Sequence, residues 1–204
     1  MDPSVKGSLV IGGAVSVRRH RDAGRISQDQ LDARLGGKAL ELVDDRKIEI
    51  GRWYSAVAFC ELLDLDWELA SDRDPEHARK AGIVSANQLF DTGIYQQLDY
   101  AERAERVKSR AELIRQARLI TTITGTLYNF LEFEVKIDET KTRSLEIHYG
   151  NAAVFAEVLR YNTEGFMNQI NHRQGSSRRW SSERIRPDLV VFRLPLPSRL
   201  TDAG

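Results

Sequence analysis

The chain has 204 residues, 41% hydrophobic and 29% charged, which is ordinary for a globular domain and far from the depletion in large apolar side chains that leaves a chain disordered. Thirty Lys and Arg balance thirty Asp and Glu, so no global field draws the molecule to nucleic acid or to an anionic membrane. The single cysteine, Cys60, cannot form an internal disulfide, and the N-terminus lacks the layout of a signal peptide. The longest apolar stretch, Leu189 to Leu196, is broken by Arg193 and Pro195 and falls short of the roughly 20 residues of a spanning helix, so the expectation is a cytoplasmic protein with no membrane span.

In chain order, Lys6 to Val17 is rich in β-branched residues and glycine and reads as an extended segment. Ser27 with Gln30 forms a capping-box signature for a helix carrying Leu31 and Leu35, which Gly36 and Gly37 should end. A short helix over Ala39 to Val43 follows. Ser55 caps a stronger helix whose apolar stripe is Ala56, Phe59, Cys60, Leu63, Trp67 and Ala70. Asp74 before Pro75 is an N-cap with proline at the first helical position, so a third helix runs to about Asp91 and Gly93 ends it. Its inner face, Ala78, Ala81, Gly82, Ser85 and Leu89, is small and permits close packing.

Asp99 to Tyr128 reads as one long helix with Val107, Ala111, Ile114, Ala117, Thr121, Thr124 and Tyr128 on one side, burying Val107, Ala111, Ile114 and Ala117 against the Ala56 to Trp67 helix. The period then falls to two: Phe130 to Ile137 and Arg143 to Tyr149 should pair as a hairpin through Asp138 to Thr142. Ala152 to Tyr161 returns to helical spacing, Thr163 and Glu164 start a further short helix through Ile170, and Arg178 to Arg186 and Asp188 to Leu194 are strands parted by Pro187. Helices, a strand pair, helices and a second strand pair make an α+β fold: an N-terminal helical half, then a four-stranded antiparallel sheet with intervening helices. Residues 1–196 read as one domain and 197–204 as a short flexible tail.

No constellation carries recognisable chemistry. Gly7 to Ala14 has the glycine spacing of a phosphate loop, but Gly13 and Ala14 stand where lysine and serine or threonine are needed. His20, His77, His148 and His172 are too scattered for a zinc site. Cys60, on an apolar face, reads as a packing residue rather than a nucleophile. Asp44 and Asp45, and Asp64 and Asp66, read as solvated edges. The richest polar cluster is His172, Arg173, Arg178, Arg179, Trp180, Arg184 and Arg186. Arginine beside an aromatic can hold phosphate and stack on a base, but Glu183 interrupts the run and net charge is zero, so a solvated hairpin with Trp180 packed inward is the plainer account. Arg178, Arg179, Trp180, Arg184 and Arg186 are kept as a candidate interaction surface.

Val5-Lys6-Gly7, Trp53-Tyr54-Ser55, Gly82 to Leu89 before Ile94-Tyr95, and the C-terminal hairpin, helix and hairpin resemble a bacterial paralogous family of unknown function. That family is similar to the four-vinyl-reductase domain, the haem nitric-oxide-binding domain and the TRAPP vesicle-tethering subunits. The resemblance spans Val5 to Leu196 and implies helices and a four-stranded sheet bordering an apolar cavity, in sensors or assembly subunits rather than catalysts. It does not extend to haem. The haem relative holds propionates with a Tyr-x-Ser-x-Arg motif, and the matching Tyr149-Gly150-Asn151-Ala152-Ala153 lacks its serine and arginine, while no histidine lies between His77 and His148.

The leading expectation is therefore a non-enzymatic regulatory or scaffold protein without cofactor or metal. It would act on a protein partner, by the resemblance a small GTPase system, as a homodimer tuned by a small apolar ligand. A small-molecule sensory domain with an apolar core pocket is the second reading, and a nucleic-acid-associated factor using Arg178 to Arg186 is the third.

Overall fold

The computed structural model describes residues 2–45, 47–91 and 110–196. Strand β1 (Ser4–Lys6) leads directly into helix α1 (Gly7–Asp22), followed by α2 (Gln28–Arg34) and α3 (Gly37–Asp44). Strand β2 (Trp53–Ser55) then feeds α4 (Ala56–Ser71) and α5 (Pro75–Asp91), and α6 (Arg110–Gly125) precedes the hairpin β3 (Glu132–Asp138) and β4 (Ser144–Gly150). A 3₁₀ turn (Ala152–Val154), α7 (Glu157–Arg173), β5 (Ser181–Arg186) and β6 (Leu189–Pro195) complete the α+β order.

The segment expected to be extended, Lys6 to Val17, is mostly helix. Val10, Gly13, Ala14 and Val17 recur at helical spacing and are buried. A Cβ on Gly13 would lie 3.3 Å from Leu63 Cδ2, so the glycine lets α1 lie close on α4. No side chain caps α1. Its first amides, Gly7 N and Ser8 N, donate instead to the carbonyls of Arg52 (2.9 Å) and Ile50 (3.1 Å). The helix start is thus fixed by residues more than forty positions away in sequence, which outweighs the β-leaning composition.

Signals that are local match the structure. Ser27 and Gln30 form both arms of the capping box, the Ser55 hydroxyl accepts from Ala58 N, and Asp74 Oδ1 accepts from Glu76 N at 3.0 Å. Helix α4 is buried on more than one side: Ala58, Leu62 and Leu65 are buried with Ala56, Phe59 and Trp67, while Ala70 is exposed. The reason is that α1 and α3 pack on it as well as α7 and the 3₁₀ turn.

The small face of α5 seats on α7. A Cβ on Gly82 would fall 1.9 Å from Asn162 O, and one on Gly165 would fall 2.0 Å from Arg79 O, so each helix presents a glycine to the other's backbone. Ala78 and Ala86 are buried beside them, whereas Ala81 is exposed. Gly93, Ile94, Tyr95, Val107 and the whole 99–109 part of the long helix lie outside the described residues, as does the 197–204 tail. The described part of that helix, α6, keeps Ala117 and Thr121 of the expected face, with Tyr128 buried beyond its end, but presents a different side in its first turns. Leu113, Ala117, Ile120 and Thr121 are buried, Ala111 is exposed and Ile114 is half-buried, because α6 packs against β3 and β4. The two short helices expected over 152–170 are one 3₁₀ turn and one continuous α7, since Glu164 is buried in ion pairing with Arg79 (2.6 Å) rather than opening a helix.

The four-stranded sheet has the order β3-β4-β6-β5, antiparallel throughout. Leu145, Ile147 and Tyr149 of β4 alternate inward with Val190, Phe192 and Leu194 of β6, as period-two strands require. One hydrophobic core joins these residues to Val5, Val10, Phe59 and Leu62 of the N-terminal half. Among the described residues no helix is long and apolar enough to cross a membrane.

Candidate ligand pocket

Helices α1, α5, α6 and α7 meet around a recess of about 120 Å³. Its walls are Leu9 from α1, Ile120 and Ile123 from α6, Leu127 just beyond it, and Phe166 and Ile170 from α7. Polar groups are few. The hydroxyls of Ser85 and Thr124 bond back to the carbonyls of Ala81 (3.0 Å) and Ile120 (2.9 Å) within their own helices, while the Asn162 and Thr163 side chains make no hydrogen bond among the described residues. An apolar chamber with a few polar atoms is the usual composition of a small-molecule site.

Tyr128 lines the recess, and behind Thr124 lies Tyr149. Both phenols are buried, and burial holds their acidity well below that of free tyrosine. Tyr149 packs edge-on against Phe133 at 4.8 Å and Phe155 at 5.6 Å and tilted against Phe192 at 4.8 Å. Its hydroxyl faces Thr124, whose own proton goes to Ile120 O, and makes no hydrogen bond of good geometry among the described residues. A buried hydroxyl left unpaired costs about 1–3 kcal/mol, a cost that an ordered water or a polar atom of a guest would relieve. Cys60 sits near Tyr128. Its thiol donates to Val154 O at 3.0 Å, and burial pushes it up to about 11, so it stays protonated at neutral pH and is no ready nucleophile.

The residues singled out in the sequence lie elsewhere. His20 is buried between α1 and α4, 3.0 Å from Asp66 Oδ1, which also accepts from Ser16. Asp66 is therefore part of a helix contact and not the solvated edge expected. Asp64 is half-buried, and burial raises its carboxyl pKa; Asp44 and Asp45 are exposed. His148 lies on the face of the sheet opposite the core, 2.8 Å from Glu146, while His77 and His172 are exposed. Among the described residues no group of three His, Cys, Asp or Glu is placed to hold a metal ion.

The arginine cluster is split by the fold. Trp180 is a core residue, 3% exposed, and so is no part of a surface. Arg184 donates to Glu157 (2.5 Å) and to the carbonyls of Ala152, Pro187 and Phe155, tying β5 to the 3₁₀ turn. Arg186 pairs with Asp188 at 3.1 Å. Of the four arginines in the candidate surface, Arg178 and Arg179 are left with no carboxylate partner among the described residues.

The solved structures that match almost the whole chain include two of one protein. One is a crystal structure of the Fe(II) unliganded H-NOX protein from K. algicida, at a TM-score of 0.52 and 17% identity, covering 96% of this chain and 98% of that one. The other is an alanine-to-glycine mutant of the same protein, with a TM-score of 0.57 and the same identity and coverage. The chain has the H-NOX fold. No protein-family model matches it, and neither does any curated protein sequence. Within this fold the recess draws on Ser85, Thr124 and Tyr128, which the sequence pattern places on inner helix faces, and on others that it does not single out. Leu9 falls in the stretch read as extended, and Ile120 and Ile123 lie on a face of α6 other than the one expected. The signal for them is an apolar pattern that also fits simple core packing.

Proposed function

We propose that this chain is a non-catalytic sensory domain that takes a small apolar molecule into the recess between α1, α5, α6 and α7. The observation that carries the reading is the apolar chamber of about 120 Å³ set among four helices in a chain whose structural neighbours are H-NOX proteins. A chamber of this size is close to the roughly 150 Å³ apolar cavity known to hold benzene or xenon.

The neighbours contain Fe(II), and haem is the group that this fold implies. The residues present do not fit it. The chamber is well below the roughly 300–1,000 Å³ of cofactor sites, and among the described residues no histidine, lysine or arginine lines it. His20 and His148 are engaged elsewhere, and His77 and His172 are exposed. The guest therefore meets side chains directly.

The scaffold and homodimer reading rests on small helical faces free to pack on a partner. Gly82 and Gly165 use those faces within the chain, so it ranks second. Xenon or benzene titrated into the protein should shift the methyl resonances of Leu9, Ile120 and Ile123 saturably, and Ile123→Phe, which fills the chamber, should abolish the shift. Unchanged methyl resonances at saturating xenon would sink the proposal.

A further inference from the structure

A second recess opens on the other side of α7, between α5, α7 and the loop Gln174 to Trp180, with a volume of about 510 Å³. Its lining includes Arg79, Ser176, Ser177, Arg178 and Arg179 together with one carboxylate, Glu76. Arg79 is already neutralised by Glu164 at 2.6 Å and Glu76 at 3.5 Å. Arg178 and Arg179 are not: Arg178 Nη1 donates to Pro195 O, at 3.2 Å, and Arg179 is exposed with no partner among the described residues. Burial lowers the pKa of the half-buried Arg178, the mark of a positive charge without its counter-ion.

The loop adds neutral donors to this charge. Gly175 takes a φ of +70°, turning the chain so that Ser176 and Ser177 follow directly on the helix end. The Ser176 hydroxyl accepts from Arg178 N, which leaves its own proton to donate, and the Ser177 hydroxyl makes no hydrogen bond among the described residues. The negative end of the α7 dipole would oppose an anion here, but its last carbonyls are covered by the loop's own amides: Gln174 N to Ile170 O, Gly175 N to His172 O and Ser176 N to Asn171 O. Two arginines and two serines lining one recess are donors of the kind that the acceptor oxygens of a phosphate group take, and the volume is within the range of small-ligand sites.

We propose that the recess formed by α5, α7 and the Gly175–Arg179 loop binds the phosphate group of a small ligand through Arg178, Arg179 and the two serine hydroxyls. The site lies apart from the apolar chamber, and the proposal does not depend on the sensory reading.

Calorimetric titration with inorganic pyrophosphate should give saturable, stoichiometric binding. Arg179→Gln and Ser177→Ala, both at exposed positions that leave folding intact, should each weaken it, and the Arg178→Gln/Arg179→Gln pair should weaken it at least about tenfold. Arg186→Gln, already paired with Asp188, should leave it unchanged. A parallel sedimentation assay uses phosphatidylcholine vesicles with and without a phosphoinositide. Vesicle binding that needs the phosphoinositide, is competed by pyrophosphate and is lost in the paired variant assigns the phosphate to a lipid headgroup; pyrophosphate binding without vesicle binding assigns it to a soluble ligand. Absence of saturable binding in both assays, or equal loss in Arg186→Gln, overturns the site.

Discussion

At the scale of single residues, the sharpest constraint is the contact between Gly82 of α5 and the backbone of α7. In an ordinary helix interior alanine is favoured over glycine by roughly 0.5–1 kcal/mol. Gly12 offers that case: it lies in α1, exposed, with nothing within 4 Å of a Cβ, so Gly12→Ala should raise the urea midpoint. At Gly82 the sign reverses. The added methyl would sit 1.9 Å from Asn162 O, a backbone atom that cannot swing aside, so the two helices must part. Overpacking of this kind costs about 1–3 kcal/mol and sometimes more, and Gly82→Ala should lower the midpoint despite the propensity gain. A Gly82→Ala protein as stable as its parent would mean that α5 and α7 are not in backbone contact.

At the scale of elements, α6 separates what a sequence pattern can and cannot reveal. Its existence is legible from apolar spacing, but its buried face only in part: Ala117 and Thr121 lie on the expected side, while Leu113 and Ile120 are buried where Ala111 and Ile114 form as regular a stripe. Choosing between them depends on where β3 and β4 lie, which only the assembled sheet decides. The consequence is measurable. Leu113, 1% exposed, should lose about 2–5 kcal/mol on truncation to alanine, while half-buried Ile114 should lose well under half as much in the same denaturation assay; the reverse order would restore the face expected from sequence. The same contrast runs through the fold. Helix α2, the start of α5 and the β3–β4 hairpin are legible because Ser27, Gln30, Asp74 and the Asp138 turn act on neighbours a few positions away. Helix α1 is not, because its first amides are satisfied by Arg52 and Ile50. In the candidate sites, Arg178 and Arg179 are legible as charge, and the local pairing of Arg186 with Asp188 two residues on is within reach of the sequence, yet the counter-ion that removes Arg184 from the cluster, Glu157, comes from 27 positions away through folding.

At the scale of the whole molecule, the H-NOX fold raises the question of whether the framework retains its iron chemistry, and the interior of this chain argues that it does not. A haem pocket needs an axial ligand, polar clamps for two propionates and space for the macrocycle. The segment that the sequence resemblance sets against the propionate motif leaves β4 at Tyr149 and Gly150, places Asn151 in a left-handed turn, and continues with Ala152 buried and Ala153 exposed. Neither alanine can hold a carboxylate. Tyr149, the one motif residue kept, is fully buried, its ring packed on Phe133, Phe155 and Phe192 and its hydroxyl turned toward Thr124, and a single phenol is no charged clamp for two propionates. Alternative ligands fail for a related reason. A thiolate at Cys60 or a phenolate at Tyr128 would have to form where burial strongly favours the protonated group, and the stretch between His77 and His148 supplies no imidazole. Reconstitution with excess haemin should therefore give no saturable Soret shift, while xenon or benzene still binds the apolar chamber. A stoichiometric shift that disappears when one of His20, His77, His148 or His172 is replaced would show that the interior rearranges to admit the macrocycle, and would return this chain to the haem-bearing members of its fold.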